Sequence, residues 1–196
     1  MPPRRVNRAV PVVMLHGWQG SEDGHWQRWL EAQLTEAGRE VRFPTLGDPD
    51  VPVVADWLAA LRATIADLPA DGYDVVAHSL SAVLWLHHTA GPGDSPRPAR
   101  VALVSPPSPT CAIPEIASFF PPPMSIDDVR HAADGTVLVA GDDDPYTPEG
   151  ITAAYGLPLK IATTVIAGGG HLNVESGYGE WPAVLDWCNR DNLAFF

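Results

Sequence analysis

Short apolar runs rich in β-branched residues alternate along the chain with longer stretches in which apolar residues return every three or four positions. The short runs are Val10–Leu15, Glu40–Phe43, Tyr73–Ala77, Val101–Ser105, Thr136–Ala140 and Ile161–Ile166. Runs of this length with little polar alternation predict strands covered on both faces, as in a parallel sheet. The longer stretches predict helices. Trp26 to Leu34 places Trp26, Trp29, Leu30 and Gln33 on one side and stops at Gly38. Val53 to Ala66 carries Val54, Trp57, Leu58, Leu61 and Ile65 at helical spacing, and Leu80 to Ala90 is apolar almost throughout, the mark of a buried helix. A shorter helix begins near Pro148, and a last one, around Trp181 to Cys188, turns Val184, Leu185 and Cys188 inward.

Strand and helix in this rhythm predict an α/β protein. The expected architecture is a doubly wound, mostly parallel sheet of about six strands with helices on both faces, residues 1–196 forming one domain without a large lid. In such sheets ligands bind beyond the carboxyl ends of the strands. The loops after Leu15, Ala77, Ala140 and Ile166 are therefore where chemistry is expected. Residues 105–123 break the rhythm: they are too rich in proline for a regular helix and, with Ile113, Ile116, Phe119 and Phe120, too apolar for a free linker. This segment is expected to fold over the carboxyl edge of the sheet.

Composition narrows the function. Of the 196 residues 24 are acidic and 12 basic, a formal net charge of -12 that repels phosphate backbones and argues against nucleic acid as a partner. Cys111 and Cys188 match neither a metal-ligand spacing nor a disulfide framework and suit a reducing compartment. No run is long enough to span a bilayer. The basic stretch Met1 to Arg8 is followed by an apolar run too short for a secretion signal and ended by His16-Gly17, so Val10–Leu15 reads as a strand and the protein as cytoplasmic.

The sharpest chemical signal is Ala77-His78-Ser79-Leu80-Ser81, where a strand passes into an apolar helix. A serine there can sit on a tight turn that lifts its hydroxyl above the sheet, the nucleophile elbow usually written G-x-S-x-G; Ala77 and Ser81 are small but not glycine. The same serine could simply cap the helix. A serine nucleophile needs a base, and the base needs an orienting acid. Asp142-Asp143-Asp144 follows the fifth strand and Gly168-Gly169-Gly170-His171 the sixth, giving the chain order Ser, Asp, His. For the oxyanion, one N–H is expected from Leu80 and another from His16-Gly17-Trp18, with Trp18 as donor and Gly17 leaving the backbone room to turn.

Leu15-His16-Gly17, Ala77-His78-Ser79, Asp143-Asp144-Pro145-Tyr146 and Gly170-His171 together resemble the small serine hydrolases related to retinoblastoma-binding protein nine. The resemblance covers nearly the whole chain and implies an α/β-hydrolase fold, assayed most often as an esterase, in which the acid is the aspartate before the proline, here Asp144. Ser81 and Ala77 depart from the glycines usual in that family.

The resulting expectation is a serine hydrolase that cleaves carboxylic esters of short acyl groups, with Ser79, His171 and Asp144 as its triad and a small-molecule ester as its partner. No cofactor and no metal are implied, and Phe119 and Phe120 are expected to wall the acyl site. Two alternatives stay open: an amide or peptide hydrolase, and a weakly active protein-interaction module on a hydrolase scaffold. His25, His87 and His88 are read as surface or packing residues, and His78 is expected to point away from the Ser79 hydroxyl. Trp26, Trp29 and Trp57 are expected in the core, and Asp48 and Asp50 in a turn.

Overall fold

The computed structural model describes residues 10–69, 72–190 and 194–195; the basic stretch Met1 to Arg8 lies outside them. Six strands, β1 (Val12–Leu15), β2 (Val41–Arg42), β3 (Asp74–His78), β4 (Arg100–Val104), β5 (Gly135–Gly141) and β6 (Ala162–Ile166), form one sheet in the order β2-β1-β3-β4-β5-β6. Every pairing is parallel. The order reverses between β1 and β3, which opens a crevice beyond their carboxyl ends.

Residues of opposite parity on each strand feed two separate cores, as pleating requires. Val13 and Leu15 of β1, Val75 and Ala77 of β3 and Leu103 of β4 pack with Trp57, Leu61 and Ile65 of α2 (Val54–Ile65) and with α3 (Leu80–Thr89). Val12, Met14, Val76, Ala102 and Val104 face the other way, toward Trp26, Leu30 and Leu34 of α1 (Trp26–Glu36) and Val184, Trp187 and Cys188 of the C-terminal helix. Strands buried on both sides can be apolar throughout, which is why the runs were readable from the sequence. Among the described helices, none is long and apolar enough to cross a membrane.

Four details differ from expectation. A helix, α4 (Ile126–Ala132), follows the proline-rich segment with only Val129 buried, too little to leave a periodic stripe. The element after Pro148 is a π-helical turn, Thr152–Gly156, running into the one-turn helix α5 (Leu157–Leu159). In α6 (Pro182–Asn189) the inward residues are Val184, Trp187 and Cys188, with Leu185 only half-buried. Trp29 is likewise half-buried, packed on the edge of its core.

At the opposite end of the sheet from the crevice, Arg100 forms a two-pronged contact with the buried carboxylate of Asp74, at 3.1 and 2.6 Å. Its guanidinium lies 4.3 Å from the Trp187 ring centroid, and Arg39 donates to the Cys188 carbonyl at 2.7 Å. A planar fork satisfying a buried carboxylate while stacking on an indole fastens α6 to the sheet.

Candidate active site

Four loops converge beyond the carboxyl ends of β1, β3, β5 and β6. At the end of β3 the backbone of Ser79 adopts φ 56 and ψ -121 before α3 begins. This is a strained geometry for a residue with a Cβ, kept only where surrounding structure enforces it. Ser79 occupies the position before the helix without capping it: its side chain makes no cap hydrogen bond. Its hydroxyl lies 2.9 Å from His171 Nε2 instead. Gly17 packs against this turn so closely that an added Cβ would come 3.0 Å from the Ser79 Cβ.

The second elbow departure, Ser81, is fully buried and its hydroxyl donates to the His16 carbonyl. The side chain that replaces glycine therefore ties the first turn of α3 to the loop after β1. That loop is held from its other side as well. Gln19 N–H donates to the Pro49 carbonyl at 2.8 Å, and Trp18 Nε1 reaches the Asp50 carbonyl at 3.3 Å. The turn at 48–50 is closed by the Asp48 carboxylate, which accepts from the N–H groups of Asp50 and Val51. Among the described residues no acceptor takes the backbone N–H of Trp18 or of Leu80. Both residues border the cleft.

The three consecutive aspartates divide into two roles. Asp142 accepts from Gly168 N–H at 2.8 Å and Asp143 from Gly170 N–H at 2.7 Å, so these two carboxylates pin the glycine loop ahead of His171. Asp144 faces the imidazole, with its oxygens 3.0 and 2.9 Å from His171 Nδ1. Its Oδ1 also accepts from Tyr146 N–H at 3.0 Å. The imidazole thus donates from Nδ1 and leaves Nε2 to accept from the serine hydroxyl. Gly141 permits this approach: a Cβ there would lie 2.4 Å from the Gly170 carbonyl oxygen. Ser79, Asp144 and His171 are all at least nine-tenths buried.

Two histidines that the sequence left without a site role support this arrangement. The Nε2 of His78 donates to the His171 carbonyl at 3.1 Å. His16, buried, accepts from Leu46 N–H at its Nε2 and donates from Nδ1 to the Gly17 carbonyl. Accepting at one nitrogen while donating from the other requires a neutral His16 ring, and burial pushes both imidazoles below their ordinary pKa. Burial likewise lowers His25, which caps α1, to about 4, and His88, which packs on Trp85, to about 4. Such groups bind protons more readily when the chain unfolds, so their stabilisation is complete above pH 6.5 and is lost as pH falls toward 4. Between pH 7 and 5, His25 and His88 should each lower the unfolding free energy by about 2 kcal/mol. Urea titrations at a series of pH values measure this, and an unfolding midpoint that does not move across that window would contradict it.

The cleft, of about 290 Å³, is bordered by Ser79 and His171 together with Gly17, Trp18 and Leu80, and its apolar lining is completed by Pro107, Ile113 and Ile116. Phe119 and Phe120 do not wall it, contrary to the sequence reading. Phe119 is fully buried with its ring edge-on to Trp57, and Phe120 packs on the same core. The 3-10 turn Pro114–Phe119 aims its last side chain into the protein, leaving Ile113 and Ile116 toward the crevice. The proline-rich segment does fold over the carboxyl edge. Tyr155 and Thr147 hydroxyls donate to the Pro107 and Pro106 carbonyls, at 2.5 and 2.7 Å. Among the described residues no group of three or more histidine, cysteine or acidic side chains is arranged to hold a metal ion.

A family model described as serine hydrolase matches residues 12–190. The Bacillus subtilis protein YdeN, itself described only provisionally as a hydrolase, is 25% identical over 185 residues, which span 89% of this chain and 92% of YdeN. The crystal structure of YdeN superposes with a TM-score of 0.74 at 22% identity, covering 90% of this chain and 95% of that one. A YdeN-like protein from Pectobacterium atrosepticum gives 0.67 at 20% identity, over 92% and 89% of the two chains. The thioesterase domain of the curacin biosynthetic pathway gives 0.63 at 15%, over 92% and 90%. These neighbours share the α/β-hydrolase fold with this chain.

Proposed function

The chain belongs to the serine hydrolase family, and from that premise we propose that it cleaves carboxylic esters of short acyl groups through an acyl-serine formed on Ser79. Within the family we place it beside the small hydrolases related to retinoblastoma-binding protein nine, on its Asp-Asp-Pro-Tyr and Gly-His motifs. The observation that carries the reading is the unbroken hydrogen-bond chain from the Ser79 hydroxyl through His171 to Asp144 at the edge of the cleft.

In this scheme His171 Nε2 takes the hydroxyl proton as Ser79 Oγ attacks the ester carbonyl. Asp144 holds the imidazole with its proton on Nδ1 and stabilises the imidazolium that forms. The oxyanion is met by the backbone N–H groups of Trp18 and Leu80, for which no acceptor is found among the described residues, the latter at the positive end of α3. The imidazolium then returns its proton to the departing alkoxide, so the C–O bond breaks and the alcohol leaves. Water, deprotonated by the same nitrogen, attacks the acyl-serine and releases the acid and the free hydroxyl.

The acyl chain fits the apolar lining formed by Trp18, Leu80, Pro107, Ile113 and Ile116. At about 290 Å³ the cleft stands at the small end of ligand sites. p-Nitrophenyl esters should therefore show their highest kcat/KM at two to four acyl carbons, with a fall of roughly tenfold by octanoate. A rate that climbs steadily with chain length would overturn the short-acyl assignment, and a matched anilide hydrolysed as fast as the ester would overturn the ester preference.

A further inference from the structure

The polar part of the cleft has a consistent charge. Besides the apolar residues, its lining includes Gln19, Glu22, His25, Asn173 and Glu175. Among the described residues no lysine or arginine borders it. Burial keeps His25 and His78 uncharged near neutral pH, so neither offsets the two carboxylates. Arg28, which acts electrostatically on His25, turns its guanidinium to the Ser21 carbonyl and to Glu31.

The position of these groups relative to the reaction matters more than their number. The alcohol must leave on the imidazole side, because His171 Nε2 delivers its proton. Asn173 and Glu175 follow that imidazole by two and four residues. Glu22 accepts through its carbonyl from His25 N–H, and the His25 ring lies 5.0 Å from that of His78, itself 5.2 Å from His171. An aromatic face is added by Tyr146, 43% exposed, with its ring centroid 4.5 Å from that of His171. Carboxylates beside an open aromatic ring are the chemistry that recognises ammonium groups. The same carboxylates repel anionic leaving groups.

Resting on the acyl-serine reading, we infer that the preferred substrates are esters whose departing alcohol carries a positive charge, an amino or quaternary ammonium alcohol, and that Glu22 and Glu175 set this preference. Three butyrate esters test it: those of choline, of its uncharged carbon isostere 3,3-dimethylbutanol, and of glycolate. Hydrolysis is followed by acid release. At low salt kcat/KM should rank choline, isostere, glycolate, with choline ahead of the isostere by about tenfold, a ratio that shrinks in molar salt. Glu22→Gln with Glu175→Gln should bring the choline-to-isostere ratio close to one, a change that loss of fold would not produce, since both esters share the acyl group. Equal hydrolysis of choline and isostere by the wild-type protein overturns the inference and leaves the hydrolase reading standing. A ratio that survives both substitutions overturns the assignment to these carboxylates. Failure to hydrolyse any of the three, with no labelling by a fluorophosphonate, overturns the acyl-serine reading itself.

Discussion

Ser79→Ala should lower kcat by roughly a million-fold while leaving the fold and thermal stability close to wild type. The loss is large because, in the proposed scheme, both the covalent intermediate and the proton relay begin from the hydroxyl that is removed. His171 remains held by Asp144, at 2.9 Å, and by the bond from His78 to its carbonyl, so the loop that carries it has no reason to move. A fluorophosphonate should label the wild-type protein stoichiometrically at Ser79 and leave the variant unlabelled. The informative failure is labelling that persists in Ser79→Ala, since Ser81 lies two residues away. Ser81 donates its hydroxyl to the His16 carbonyl and is fully buried, so it lacks both a base and access. Retained turnover would show that the short Ser79–His171 contact serves structure rather than chemistry.

The strands and the converging loops were legible because both follow from one-dimensional rules. A strand buried on both faces must be apolar along its length, and an α/β sheet must place its reactive loops at one edge. What the sequence could not convey is the direction of a side chain whose neighbours are distant in the chain. Phe119 and Ile116 stand three residues apart in the same turn, yet one packs on Trp57 and the other borders the cleft. Ser81 read only as a departure from the elbow motif, since the motif records only that glycine fits; the acceptor that makes a hydroxyl useful there, the His16 carbonyl, is 65 residues away. The bracing of the loop after β1 by the turn at 48–50 left no signal beyond an ordinary Asp-Pro-Asp turn. Leu185 and Trp187 show the same limit in a helix: the expected stripe was misplaced by part of a turn, and Trp187, which Arg100 stacks upon, faces inward.

The aspartate run makes the sharpest case, because Asp142, Asp143 and Asp144 are chemically identical and differ only in what they meet. Asp144→Asn should cost roughly ten-thousand-fold in kcat with the protein still folded. Tyr146 N–H holds the Oδ1 of Asp144 as an acceptor at 3.0 Å. In the asparagine variant the amide oxygen keeps that position, and the amide nitrogen therefore takes the place of Oδ2, which lies 2.9 Å from His171 Nδ1. A donor now faces the ring nitrogen, so the imidazole must carry its proton on Nε2 and can no longer take one from Ser79. Asp142→Asn and Asp143→Asn have no such consequence. Their carboxylates accept from Gly168 and Gly170 N–H groups, and an asparagine oxygen can accept from the same donors. Only the charge assistance to each bond is lost, so kcat should fall by less than about tenfold. Parallel kcat measurements on the three variants decide the matter: a loss at Asp142 or Asp143 as deep as that at Asp144 would mean that the glycine-loop anchor, and not the orientation of the imidazole, is what the reaction requires of this run.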